Sequence, residues 1–428
     1  MLDKGIWVPI RPAMLPRRSR TNYDVSGERL MSAIHGMEVR INASMESILL
    51  FDPNVREYEV EVPSDCFALK FHLDYDPSYY ISIQTDHDAG RYGFEELDPS
   101  MGDYIAGSEV PYYDYYDGYI VRLDKRRSCF QRDLRMTITV NAGSAQFGSE
   151  AYTIRLLRSS LRSVRKLFRI DAFHDEEFQV TVPYALYVPS NYDPAKKYPL
   201  VIALHGTGER ENPVEGILEK TAMATAWAED SERGHNQCLA LVPQCKIHYN
   251  EEDNWTSLVQ FIRQHSNSPF WPLPQLKAVW NLFLKVAEQY SVDTKRLYLT
   301  GVSSGGFAAY VLAMMHSGAF AGLVPVSCAA HPGYVRLLKG VPMWIFHSDD
   351  DPLIQPSWTL DPCLAAMDGA GVRYRLTRYP KGMIFWQSGH FAWEACYHNT
   401  EMRNWLFAQS LPQGADLKKP AQEINWTM

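Results

Sequence analysis

The chain of 428 residues is 46% apolar and 21% charged, an ordinary globular composition that argues against long disorder and, at roughly 100 to 200 residues per domain, for two or three domains. A net charge of −8 gives no footprint for nucleic acid or for an anionic membrane surface. No apolar run reaches the length of about 18 residues that a membrane span requires.

The first residues, "MLDKGIWVPIRPAMLPRRSR", carry charges and prolines where a signal peptide needs an uninterrupted apolar stretch. Seven cysteines without a paired spacing fit a reducing compartment better than a disulfide framework. The expectation is a cytoplasmic protein, or a secreted one if a leader has been removed.

Residues 1–35 read as an irregular lead-in. From 36 to 158 the texture is β: "YEVEVP", "ALKFHLDY", "YYISIQT", "YIVRLDK", "RMTITVNA" and "AYTIRLLR" alternate apolar and polar residues between Gly, Asp, Pro and Asn, which predicts short strands in a β-sandwich. "LLFDPNVREYEVEVP" and, far downstream, "RMTITVNAGSAQFGSEAYTIRLLR" resemble the cadherin-like, immunoglobulin-like modules that precede some bacterial hydrolases. The acidic, aromatic run "PYYDYYDGYI" over 111–120 either stacks on sugar rings or packs its tyrosines on the sandwich. This region is the candidate carbohydrate or self-association contact.

A basic connector over 159–169 leads into a second region, 170–412, followed by a tail over 413–428. Here strands "FQVTVPYALYVP", "PLVIALHG", "CLALVPQ", "RLYLTGV", "GLVPVSC", "VPMWIFHS" and "VRYRLTRYP" alternate with helical patterns at 275–290, from 304, at 361–370 and at 392–409. In the first of these, Leu276, Val279, Phe283, Val286, Ala287 and Tyr290 share one face, expected to meet the core. Alternating buried strands and helices predict a mostly parallel α/β sheet.

Within it, Gly301-Val302-Ser303-Ser304-Gly305 reads as Gly-x-Ser-x-Gly on a strand-to-helix turn, with Ser303 as the candidate nucleophile. The glycines two residues to either side clear space around a strained turn; the same frame on Ser304 would place β-branched Val302 there. Hydroxyl nucleophiles need a base and an orienting acid, in the chain order Ser, Asp or Glu, His. "PMWIFHSDDDPLI" supplies an acid after a buried strand and His390 lies in the loop before the final helix. The strand "PLVIALHGTGERENP" ends in a glycine-rich loop suited to an oxyanion hole built from the N–H groups of Thr207 and Ser304.

With these residues in hand, 175 to 410 resembles the α/β-hydrolase esterases related to feruloyl esterases and polyhydroxybutyrate depolymerases, often labelled predicted peptidases. "YVPSNYDPAKKYPLVIALHGTGER", "LVPQC" with Trp255, "SVDTKRLYLTGVSSGGFAAY", "FHSDDDPLI" and "HFAWEACYHNTEMRNWL" match that group's landmarks in order. Ser304 stands where the group usually has Met, and Ser348 replaces the second residue of its His-Gly pair. The resemblance places the acid four residues after His347, at Asp351, and Pro352 then restricts Asp351 to an extended backbone. Asp349 and Asp350 are expected to cap the turn or face water.

The resemblance implies an α/β-hydrolase preceded by an immunoglobulin-like sandwich, acting as a serine esterase on a small-molecule or polymer-derived ester through Ser303, His390 and Asp351, with no cofactor and no metal. Glu209 and Trp255 are the substrate-binding candidates; Glu209 alternatively braces its loop, and Trp255 alternatively packs in the core. Residues 257–275 form either a lid or a packed loop. Cys245, His205 and His347 are expected to be structural. A peptidase or amidase with the same residues, and a binding protein that uses the sandwich, are the competing readings.

Overall fold

The computed structural model describes residues 32–41, 46–63, 66, 68–85, 119–122, 134–158, 164–210, 213–218, 221–229, 235–246, 271–384 and 388–424. Among the described residues, seven strands form the N-terminal β region: β1 (Ile34–Ile41), β2 (Glu57–Val62), β3 (Ala68–Tyr75), β4 (Tyr80–Thr85), β5 (Tyr119–Arg122), β6 (Leu134–Ser144) and β7 (Gly148–Arg158). They make a three-stranded sheet, β1-β3-β5, and a four-stranded sheet, β2-β7-β6-β4. One apolar cluster draws Ile34, Val39, Leu69 and Phe71 from the first sheet and Val60, Ile138, Tyr152 and Ile154 from the second, so the two sheets share a core as a sandwich must. β1 begins inside the expected lead-in. Its sequence "IHGMEVRI" breaks the alternation with His35 and Gly36, and the ladder shifts register at that point.

An eight-stranded sheet follows. Its strands are β8 (Phe168–Asp175), β9 (Val180–Tyr187), β10 (Tyr198–Leu204), β11 (Leu239–Pro243), β12 (Val292–Val302), β13 (Gly322–Val326), β14 (Trp344–Ser348) and β15 (Arg375–Tyr379). The order is β15-β14-β13-β12-β10-β11-β9-β8. From β15 through β11 every pairing is parallel, and β9 and β8 add antiparallel strands at one side. β8 begins in the last two residues of the expected connector and runs into the second region; it is an edge strand whose middle residues are exposed, so it carries no apolar alternation. Residues after 412 also join the sheet region: the Ala415 N–H donates to Thr294 O at 2.8 Å, and Leu417, Ala421 and Ile424 pack on the core.

The parallel strands are apolar on both faces, and their two-residue period divides the core. Leu200, Ile202, Leu204, Leu239, Leu241, Leu297 and Leu299 face one layer. Val201, Ala203, Ala240, Val242 and Tyr298 face the other. Four helices of the described residues are nine residues or longer: α1 (Leu273–Gln289), α2 (Ser304–Met315), α3 (Leu360–Ala370) and α4 (Thr400–Ala408). Leu276, Val279, Phe283 and Val286 of α1 are fully buried against the first layer, with Ala287 and Tyr290 packed at its margin. The expected helix at 392–409 is divided. A short turn, Trp393–Cys396, ends before Asn399, whose side chain accepts the Met402 N–H at 2.7 Å and starts α4 anew.

Candidate active site

The loops at the carboxyl ends of β10, β12 and β14 converge, where ligands bind in open parallel sheets. Ser303, between β12 and α2, has φ 51° and ψ −120°, a left-handed backbone that a side chain tolerates only under constraint. The constraint is a set of hydrogen bonds: its N–H donates to Val326 O at 2.9 Å, and its carbonyl accepts from Gly306 at 2.9 Å and Phe307 at 3.1 Å. The flanking glycines act on the backbone rather than on the serine side chain. A Cβ at Gly301 would lie 2.2 Å from Gly305 O, and one at Gly305 would lie 2.1 Å from Leu204 O. Those contacts set α2 tightly between β10 and β12.

His390 sits in a single turn, Gly389–Phe391. Gly389 lets that turn press on the acid loop, because a Cβ there would lie 2.2 Å from Asp350 Oδ1. His390 Nε2 stands 3.1 Å from Ser303 Oγ, and its Nδ1 stands 2.8 Å from Asp351 Oδ2. The other carboxylate oxygen of Asp351 accepts the N–H groups of Leu353 at 2.9 Å and Ile354 at 2.8 Å. Burial alone would raise the Asp351 carboxyl, but the charge and hydrogen bond of His390, with His347 and the Ile354 N–H, hold it below the usual carboxylate range. An ionised carboxylate only accepts, so Nδ1 carries a proton, and in its neutral form the imidazole offers its Nε2 lone pair to the serine.

The neighbouring aspartates are engaged elsewhere. Asp349 pairs with Arg378, which also holds Asp361. Asp350 accepts from Ser348 Oγ at 2.5 Å and from the Gly382 N–H at 2.8 Å. Of the three, Asp351 is the one whose carboxylate meets His390.

β10 and β12 are adjacent, so the loop after Leu204 runs beside the serine. A Cβ at Gly206 would lie 3.6 Å from Ser303 Cβ. Thr207 opens a single turn, Thr207–Glu209, and Ser304 opens α2. An N–H at the start of a helical turn has no carbonyl behind it within that turn, and α2 adds its positive dipole end. Glu209 turns back on this loop, with Oε2 3.3 Å from the Cβ position of Gly206. Trp255 and residues 257–270 lie outside the described residues. At 271–275, Trp271 and Gln275 are buried and α1 has already begun at Leu273.

The Esterase family model, described as "Putative esterase", matches residues 176–394, just over half of the chain. The chain belongs to the Esterase family. It is a hydrolase acting on esters, and its C-terminal region has the α/β-hydrolase fold. Among solved structures, a thermostable esterase is similar at 22% identity and a TM-score of 0.52, covering 83% of this chain and 99% of that one. A ferulic acid esterase matches at 15% identity and a TM-score of 0.37, over 53% of this chain and 98% of that one. A thermophilic esterase from Thermogutta terrifontis matches at 14% and 0.35, over 50% and 82%. Among curated proteins no significant match was found.

Around the loop at Gly206 the esterase carries buried polar braces; the sequence marks His205 and Cys245 as structural, but their partners and the roles of Gln244 and Gln275 are not legible in it. His205 Nδ1 lies 2.6 Å from Gly206 O, which only accepts, so Nδ1 donates and Nε2 takes the Cys245 N–H at 3.0 Å. Gln244 Nε2 donates to Glu209 O at 3.3 Å, and Gln275 Nε2 donates to Gln244 O at 3.3 Å. Trp271 tilts against His205 at 4.9 Å. Cys245 has its thiol pushed up to about 12 by burial, the state of an inert buried residue. Trp393, three residues after His390 in the landmark "HFAWEACYHNTEMRNWL", meets His390 edge-on at 5.2 Å.

Proposed function

We propose that this esterase cleaves carboxylic esters through an acyl-enzyme on Ser303. The single observation that carries the reading is the unbroken chain of contacts from Ser303 Oγ through His390 to Asp351. Ser303 Oγ attacks the ester carbonyl as His390 Nε2 takes its proton, and Asp351 holds the Nδ1–H tautomer and the imidazolium that forms. The carbonyl oxygen becomes an oxyanion bound by the N–H groups of Thr207 and Ser304, a role in which losing one donor typically costs about 100- to 1,000-fold. His390 then returns the proton to the departing alcohol. A water molecule attacks the acyl group by the same route in reverse and releases the acid.

The N-terminal region is read as an immunoglobulin-like sandwich, supported by its two sheets around one core and by the motifs at β2 and at β6 and β7. Labelling with a fluorophosphonate, followed by a screen of esters graded by acyl length, tests the assignment. Ser303→Ala is expected to abolish labelling and turnover. Ser304→Ala is expected to keep much of both, because Ser304 contributes its backbone N–H. Equal loss in the two variants refutes the frame.

A further inference from the structure

We propose that His347 is a positioning residue that locks the Asp351 carboxylate in the orientation that His390 requires, its Nε2–H holding Ile354 O and its ring standing beside Oδ2. The proposal rests on the acyl-enzyme reading above.

His347 lies near the end of β14 and is fully buried. Its Nε2 is 2.8 Å from Ile354 O and 3.5 Å from Asp351 Oδ2. A carbonyl only accepts, so Nε2 carries the proton. Nδ1 is buried without a hydrogen-bond partner, which leaves nothing to stabilise a second proton there. Burial likewise lowers the affinity of this imidazole for a proton, against the opposing charge of Asp351. His347 is therefore a neutral donor.

The donor closes a loop of contacts around the acid. Ile354 gives its N–H to Asp351 Oδ1 and its carbonyl to His347. Asp351 Oδ1 is thus pinned by two backbone N–H groups, while Oδ2 accepts from His390 Nδ1 at 2.8 Å and has the His347 ring on its other side, Nε2 3.5 Å away and bonded to Ile354 O. Rotation of the carboxylate about its own axis would break contacts at both oxygens. Packing alone does not explain the imidazole, since an apolar side chain would fill the strand end without leaving Nδ1 buried and unsatisfied.

Chemistry distinguishes positioning from scaffolding. The amide nitrogen of Gln reaches the place of Nε2, whereas that of Asn stands near the place of Nδ1. His347→Gln, His347→Asn and His347→Leu are assayed for kcat and KM on p-nitrophenyl acetate per folded protein, judged by near-ultraviolet circular dichroism, with Ser303→Ala alongside. A misplaced carboxylate is expected to lower kcat about 10- to 100-fold in Asn and Leu. KM stays close to wild type, because His347 lies behind the acid, and Gln recovers most of kcat. Gln no better than Asn, a KM that moves with kcat, or unchanged kcat in Leu overturns the proposal. Failure of all three to fold overturns it too, since His347 then serves the scaffold. If Ser303→Ala retains turnover, it is the acyl-enzyme reading that fails.

Discussion

Two adjacent strands of this esterase are each followed by a serine with nearly the same positive φ. Ser303 after β12 has φ 51° and Ser327 after β13 has φ 52°. Each gives its N–H to the next strand, Ser303 to Val326 O and Ser327 to Phe346 O, both at 2.9 Å. Yet Ser303 Oγ meets His390, while Ser327 is fully buried and its Oγ has no hydrogen-bond partner. The surrounding sequence separates them. Gly301 and Gly305 admit a helix directly after Ser303, whereas Pro325 and Ala329 flank Ser327 and no helix follows it directly; Cys328 Sγ instead sits 2.3 Å from where a Cβ of Gly306 would be. On the acyl-enzyme reading proposed above, a left-handed serine at a strand end does not by itself make a nucleophile. A helix N-terminus and a base complete it.

The largest effect should come from exchanging the alanines between these turns. Ser303→Ala is expected to lower kcat by on the order of a millionfold, the scale of losing a nucleophile that acts as part of a unit. Ser327→Ala keeps the left-handed backbone and removes a buried, unsatisfied hydroxyl, so it should leave turnover near wild type and raise stability by up to about 1 kcal/mol. Steady-state rates and urea denaturation check the pair, and a crippled Ser327→Ala breaks the comparison.

Next in size is the acid. Asp351→Asn is expected to cost about 10,000-fold in kcat, as when a wrong imidazole tautomer is stabilised. The Asn variants of Asp349 and Asp350 should retain most of the rate, because those carboxylates hold Arg378 and the Gly382 N–H instead. If either is the slower enzyme, the orienting acid is misplaced.

These contrasts also mark what a sequence can display. The turn at Ser303 is legible because its two glycines record contacts made at once, between the start of α2 and the strands beside it. The parallel strands are legible because burial on both faces leaves continuous apolar runs. β8 is not, since an edge strand with exposed middle residues has no reason to alternate. The braces of the Gly206 loop are illegible for another reason. His205, Gln244, Cys245 and Gln275 meet only after two strands and a helix have folded, and nothing in their spacing records the meeting. His347 could be seen as the end of a buried strand. Its distance to Asp351 Oδ2 belongs to the fold of residues 351–354.

Below the acid in expected effect stand the glycines that distinguish the two turns. Gly305→Ala forces a Cβ to within 2.1 Å of Leu204 O and 2.4 Å of His205 O, backbone atoms that move only with β10. Destabilisation of about 3 kcal/mol is expected, the upper part of the usual range for overpacking. Gly208→Ala, in the neighbouring loop, meets nothing within 4 Å, and its stability should stay within about 0.5 kcal/mol of wild type. Comparable midpoints in urea would mean that α2 does not need its close approach to β10.

The smallest effect expected lies at the far end of α2 and separates loss of chemistry from loss of fold as the pH falls. His316 caps that helix, stacks on Trp280 at 3.6 Å, and is buried, with its Nε2 unpartnered. Burial lowers its pKa to about 4, while in the unfolded chain it titrates near 6.5. Between those values the unfolded state binds the proton and the folded state does not, so stability falls as the pH drops through this window. From pH 7 to pH 5 the loss from this one residue should be about 2 kcal/mol. His316→Phe keeps a ring on Trp280 and removes the titration, so its stability should change less than wild type over the same interval. Urea midpoints at the two pH values measure the difference. Parallel slopes for the two proteins would show that His316 takes up its proton without opening the end of α2, and any decline in turnover over that range would then belong to the site at Ser303.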